Sequence, residues 1–149
     1  MNASASTAAA DVNRARPRSL RIVVADDDPD TVLTLTMLLE DEGHVVQGVE
    51  KGDEVMRLVR RMSPDAVILD IAMPGQSGFA VAQDIRAAYY GQRKPLLIAI
   101  TGQYKKPADR MLSELVGFDH HLVKPYDPEE LIGLLEPLRR APRPGSGSQ

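Results

Sequence analysis

Between Leu20 and Leu138 two kinds of hydrophobic pattern take turns along the chain. LRIVVA, Leu20 to Ala25, is an unbroken apolar and β-branched run, as expected of a strand buried on both faces. Pro29 suits the first turn of a helix. From Asp30, Val32, Leu35, Leu38 and Leu39 recur at helical spacing as far as Gly43, which can cap the C-terminus. HVVQGV, from His44, predicts a short strand. Val55, Leu58, Val59 and Met62 predict a second helix that stops before Pro64. DAVILDI (Asp65–Ile71) is a third strand, followed by the turn residues MPGQSG. Phe79, Val81, Ala82 and Ile85 mark a third helix, and LLIAIT (Leu96–Thr101) a fourth strand. A weaker helical pattern runs from Lys106 to Val116, and FDHHLV follows as a fifth strand. Tyr126 or Asp127 opens the last helix, with Leu131, Leu134, Leu135 and Leu138 on one face.

Strands alternating with helices five times over predict an α/β fold with a doubly wound parallel sheet covered on both faces. The folded domain is expected over 20–140. Residues 1–19, rich in Ala, Ser, Asn and Arg, and the tail APRPGSGSQ (141–149) read as flexible. In open sheets of this kind functional residues gather beyond the carboxyl ends of the strands.

Composition narrows the picture. The chain of 149 residues suits one domain with tails. Aromatics make up 4% and Trp is absent, so the core must be aliphatic. The absence of cysteine excludes disulfides, thiol catalysis and thiolate metal sites. Stretches such as Ala66–Leu69 and Leu96–Ile100 are too short to span a bilayer, and the N-terminus lacks the apolar segment of a secretory signal. A cytoplasmic location is the expectation. The net charge of −3 hides a division. Arg14, Arg16, Arg18, Arg21, Arg139, Arg140 and Arg143 face only Asp11 in the flanks, which total +6 and leave −9 for the body. Such an acidic body argues against nucleic-acid binding by the domain.

The strand ends carry the chemistry. The first strand ends in Asp26, Asp27 and Asp28, and the third in Asp70. The fourth ends in Thr101-Gly102 and the fifth in Lys124-Pro125. With the first strand central, these ends converge on one crevice. Two or three carboxylates form a hard oxygen site suited to Mg²⁺. A carboxylate beside such an ion can attack phosphorus and become an aspartyl-phosphate. The ion, a lysine ammonium and a threonine hydroxyl can then share the oxygens of the transferring phosphoryl group.

In order and spacing, VVADDDPD, VILDIAMPGQSGF, IAITG and HHLVKPYDPEEL make the chain resemble the receiver domain of two-component response regulators, over roughly Leu20 to Arg139. The resemblance implies a five-stranded flavodoxin-like fold with strand order 2-1-3-4-5 and five helices. It implies Asp70 as phosphoacceptor, Asp27 as direct Mg²⁺ ligand and Asp26 as a ligand acting mainly through water. Asp70 and the backbone carbonyl of Ala72 would complete the metal set. Thr101 would hydrogen-bond the phosphate, and Lys124 would pair with one of its oxygens. The Lys124–Pro125 bond is cis in many relatives, although its state is not readable from sequence.

Plainer readings compete at several positions. Asp28 is better read as a helix N-cap and Asp30 as a first-turn acid than as metal ligands. His120 and His121, adjacent on a strand, face opposite sides and do not suggest a metal pair. His121 stands three before Lys124, where the family usually carries a reporter aromatic, and is a departure from the family's pattern. Ala72 replaces a polar side chain frequent among relatives and Ser77 a frequent Asp, while the small Gly102 leaves the phosphate approachable by a partner. Asp28-Pro29-Asp30-Thr31 imitates the opening of aspartyl-nucleophile phosphatases but would put the nucleophile inside a helix start. A calcium loop fails because Thr31 holds the glycine position and Met37 the glutamate position.

The function expected is that of a signalling phosphoacceptor and not of a conventional enzyme. A sensor histidine kinase or histidine phosphotransfer protein would supply the phosphoryl group to Asp70. A change on the surface of the fourth helix, fifth strand and fifth helix, around His121 and Pro125, would then control a downstream protein. Because the chain ends soon after the last helix, no output domain is expected, which suits a stand-alone regulator or a receiver excised from a hybrid kinase. The main rival is an interaction module that works without phosphorylation.

Overall fold

A computed structural model describes residues 18–73, 75–89, 94–102, 111 and 116–140. Its strands are β1 (Arg21–Ala25), β2 (Val45–Val49), β3 (Ala66–Asp70), β4 (Leu96–Thr101) and β5 (His120–Val123). Helix α1 (Pro29–Asp41) follows β1, and a 3-10 turn (Gly52–Glu54) leads from β2 into α2 (Val55–Met62). Helix α3 (Gly78–Ala88) follows β3, and α4 (Pro128–Arg140) is the C-terminal helix. The helix predicted over 106–116 lies outside the described residues apart from Met111 and Val116, as do residues 1–17 and 141–149.

Every strand pairing is parallel, in the order β2-β1-β3-β4-β5. This is the doubly wound sheet that the sequence pattern predicts, in the flavodoxin-like strand order that the family resemblance implies. The chain leaves β1 toward β2 on one side and reaches β3 on the other, so the topological switch falls between β1 and β3.

Strand alternation divides the core into two layers. Val23, Ala25, Val67, Leu69, Leu97 and Ala99 point to one face and pack under α2 and α3. Ile22, Val24, Ala66, Ile68, Ile98 and Ile100 point to the other, under α1 and the C-terminal helix. Both layers are mainly aliphatic, with Phe118 buried in the first, and the runs forming β3 and most of β1 and β4 are buried on both sides.

Local signals set the helix ends. Asp28 caps α1, its side chain accepting the Asp30 N–H at 3.1 Å and the Thr31 hydroxyl at 3.0 Å. Pro29 stands in the first turn, and Gly43 follows the helix at φ +94°, a conformation that favours glycine. Ser77 caps α3 through the Ala80 N–H at 3.3 Å. At the opposite end of the sheet from the strand tips, Arg18 donates its N–H to the Arg139 carbonyl and pairs with Asp65 at 3.3 Å. There too the buried His44 accepts the Leu20 N–H on Nδ1 at 3.1 Å.

Candidate functional site

Register alone brings the critical strand ends together. Ala25 pairs with Leu69, so Asp26 and Asp70 are the next residues on adjacent central strands. Asp70 pairs with Ile100 and Thr101 with Val123, which sets Thr101 and Lys124 on the same rim. Just behind Asp70, α3 begins so close that a Cβ on Gly78 would lie 2.6 Å from the Asp70 carbonyl oxygen and 2.8 Å from Ile71 Cα. Glycine is required there by proximity.

Asp26, Asp27 and Asp70 each offer a carboxylate oxygen, and the three lie within 4.8 Å of one another. Asp26 and Asp70 are buried, whereas Asp27 is exposed at the mouth. The Asp26 N–H donates to the Val49 carbonyl at 3.2 Å, fixing the carboxylate loop to the end of β2. Asp26 Oδ1 accepts the Asp28 N–H and Oδ2 accepts Lys124 Nζ, both at 3.0 Å. Asp70 Oδ1 accepts the Ala72 N–H at 3.2 Å. Thr101 is buried at the tip of β4, and among the described residues no atom lies within 4 Å of where a Cβ on the following Gly102 would stand. The Lys124–Pro125 bond is cis.

The electrostatics follow from this crowding. Burial and then the Asp26 charge push the Asp70 carboxyl up to about 7, against the pull of Lys124 and the Ala72 amide. For Lys124, burial alone would lower the pKa. Its hydrogen bond and charge contact with Asp26, helped by Asp70 and Asp27, outweigh that and hold it above the usual lysine value. Burial and the nearby Asp26 raise Tyr126 to about 12. The pocket therefore holds more negative charge than it can stabilise by itself. Three clustered hard oxygen donors, one of them open to solvent, suit a small divalent cation that keeps part of its water shell.

Of the residues singled out in the sequence, Asp26, Asp27, Asp70, Ala72 and Lys124 come together in one pocket, with Thr101 and Gly102 on its rim. Asp28 and Asp30 belong to the start of α1. His121 meets Phe118 edge-on, ring centroids 5.9 Å apart, while its neighbour Leu122 enters the opposite core layer. Two participants escape sequence reasoning. Tyr126 lines an apolar groove of about 390 Å³ beside Lys124, together with Leu35, Leu38 and Pro128. Gly52 packs against the loop after Asp70. Only the position of Tyr126 two residues after Lys124 could have pointed to it.

Comparison with known proteins gives the same picture. Residues 22–136 match the response regulator receiver domain model. An uncharacterized 14.6 kDa protein of Leptolyngbya boryana is 39% identical over 115 residues, 77% of this chain and 86% of that one. The protein PilH of Pseudomonas aeruginosa is 33% identical over 112 residues, covering 75% of this chain and 91% of its own length. Among solved structures, the receiver domain of a Pseudomonas aeruginosa sensor histidine kinase, with a magnesium ion coordinated in its active-site cleft, superposes with a TM-score of 0.70. The two are 25% identical over 80% of this chain and 97% of that one. No helix among the described residues is long and apolar enough to cross a membrane.

Proposed function

The chain belongs to the response regulator receiver family, and from that premise we propose that residues 20–140 form a receiver that accepts a phosphoryl group on Asp70 from a histidine kinase or phosphotransfer protein. Receiver domains are phosphoacceptor signalling modules that bind Mg²⁺. The observation that carries the proposal is the pocket itself, with three carboxylates within 4.8 Å and a lysine ammonium already bonded to one of them.

Each residue then has a task. Asp26, Asp27, Asp70 and the Ala72 carbonyl are the candidate Mg²⁺ ligands, and the ion would supply charge neutralisation for both the nucleophile and the incoming phosphoryl oxygens. Asp70 attacks phosphorus as its carboxylate while the P–N bond to the donor imidazole breaks. Lys124 leaves Asp26 to pair with a phosphoryl oxygen, and the Thr101 hydroxyl donates to another. The small Gly102 leaves room for the donor to approach. No DNA-reading role is assigned to this domain, whose output is a change in affinity for a downstream protein.

Incubation with acetyl phosphate and Mg²⁺, followed by intact mass and phosphopeptide mapping, tests the reading. The expected result is one added phosphoryl group on Asp70, lost in Asp70→Asn and without Mg²⁺. An unmodified wild type would favour an interaction module that works without phosphorylation, and turnover of a small phosphomonoester would favour a phosphatase.

A further inference from the structure

We infer that the segment from Val49 to Asp53 braces both walls of the acidic pocket and that Gly52 is a positioning residue for the backbone following Asp70. The inference rests on the receiver reading for its functional consequence, though not for its geometry. On one side the Val49 carbonyl accepts the Asp26 N–H at 3.2 Å, fixing the loop that carries the metal-binding carboxylates. Three residues later the same segment abuts the loop that follows the phosphoacceptor.

A Cβ on Gly52 would overlap the Gln76 carbonyl oxygen, and would stand 2.8 Å from its carbonyl carbon and 3.2 Å from its Cβ. Two of those three neighbours are backbone atoms, which cannot rotate aside. Gly52 is buried and lies outside the left-handed region, so its conformation does not demand glycine. Only the closeness of Gln76 does. One residue on, the Asp53 carboxylate comes within 3.4 Å of where a Cβ on Gly75 would stand.

The loop has little freedom to retreat. Gln76 Nε2 donates to Asp84 on α3 at 2.6 Å, Met73 is buried, and the Ile71 N–H is bonded to Ile100 at 3.0 Å. A push at Gln76 therefore travels back to Ala72, whose N–H is bonded to Asp70 and whose carbonyl is a candidate metal ligand. Sub-ångström misplacement at that point is enough to weaken a metal site built for narrow oxygen geometry.

The test compares wild type with Gly52→Ala, and with Gly133→Ala as a control where, among the described residues, no atom lies within 4 Å of an added Cβ. The expected result for Gly52→Ala is a shifted Ala72 amide resonance in metal-free protein. Mg²⁺ affinity by calorimetry should be roughly ten-fold weaker, and phosphorylation by acetyl phosphate slower. Adding Gln76→Ala should return part of the affinity, because the loop then loses its tether to Asp84 and can back away. Gly133→Ala should match wild type in all three. A folded Gly52→Ala with an unmoved Ala72 amide and wild-type Mg²⁺ affinity overturns the inference. Should Gly52→Ala fail to fold alone, the double variant Gly52→Ala with Gln76→Ala carries the test, and a wild-type Ala72 amide with wild-type Mg²⁺ affinity there overturns it. A wild type that neither binds Mg²⁺ nor takes a phosphoryl group overturns the receiver reading instead, while the Ala72 amide still decides the brace.

Discussion

Lys124 Nζ lies 3.0 Å from Asp26 Oδ2, so the ammonium that closes β5 is tied to the most deeply buried carboxylate of the pocket. This bond neutralises one negative charge where a divalent cation would otherwise act alone. In the proposed reaction the lysine would therefore exchange partners before serving a phosphoryl group.

Lys124→Ala should therefore act in two directions. Without Mg²⁺ the variant leaves Asp26 buried and short of its main partner, a loss of about 1–3 kcal/mol in urea unfolding with chelator present. With the competing ammonium removed, Mg²⁺ affinity should rise several-fold, and saturating Mg²⁺ should restore most of the lost stability. Calorimetric titration and paired unfolding curves check both halves. An unchanged stability together with weaker Mg²⁺ binding would refute the account.

The position of Asp70 near pH 7 gives a second expectation. In the proposed reaction only the Asp70 carboxylate attacks phosphorus, so at low Mg²⁺ the rate of phosphorylation by acetyl phosphate should climb through pH 7, and saturating Mg²⁺ should move that rise to lower pH. Stability responds in the opposite sense. Between the ordinary carboxylate range and about 7, native Asp70 keeps a proton that the unfolded chain has released, so stability falls as pH rises through that window. Allowing for solvent screening at the pocket mouth, Asp70→Asn should be relatively more stable than wild type by about 1–2 kcal/mol at pH 8 compared with pH 4. Urea midpoints across pH with chelator present measure the difference.

His44 supplies a slope of the other sign at the far end of the sheet. Burial first, and the Arg139 charge second, lower its pKa below 6.5, against Glu136 and Asp65. The unfolded chain then takes up a proton that native His44 refuses, so stability should drop as pH falls below 6.5. Protonation at Nδ1 would also cost the bond from the Leu20 N–H. His44→Gln should remove this contribution and leave the opposite Asp70 slope, which spans the same pH range, intact. An acid limb of unchanged steepness in His44→Gln would assign it to another group.

The fold and most of the candidate site are legible in the sequence for a physical reason. Apolar runs buried on both faces force a covered parallel sheet, and a parallel sheet forces strand ends to share a rim. Asp26, Asp70, Thr101 and Lys124 are each the last residue of a strand or the one just after it, so the pattern that reveals the strands also locates them. Gly52 lies on no such periodicity. Its significance is a contact with the Gln76 backbone, 24 positions away, which only folding creates. The Lys124–Asp26 bond is likewise a choice among three carboxylates that spacing cannot rank. His121 illustrates the reverse case, because its distance from Lys124 is family-like while its packing on Phe118 depends on how the segment before β5 folds.

Ala72 bears on how long a phosphoryl group would last. Its side chain is an exposed methyl at the pocket rim, two residues after Asp70, and its amide is already bonded to the Asp70 carboxylate. Hydrolysis of an aspartyl-phosphate needs a water held in line with the P–O bond, and a methyl group can neither donate to that water nor accept from it. Ala72→Asn places an amide at the same rim without changing the backbone bond. Dephosphorylation after removal of acetyl phosphate should then be several-fold faster than in wild type, while the phosphorylation rate and Mg²⁺ affinity stay within about two-fold. Ala72→Val, bulky but apolar, separates the two explanations, because a steric effect would alter its decay whereas a water-orienting effect would not. A wild-type decay as fast as that of Ala72→Asn would show that the methyl group does not limit hydrolysis.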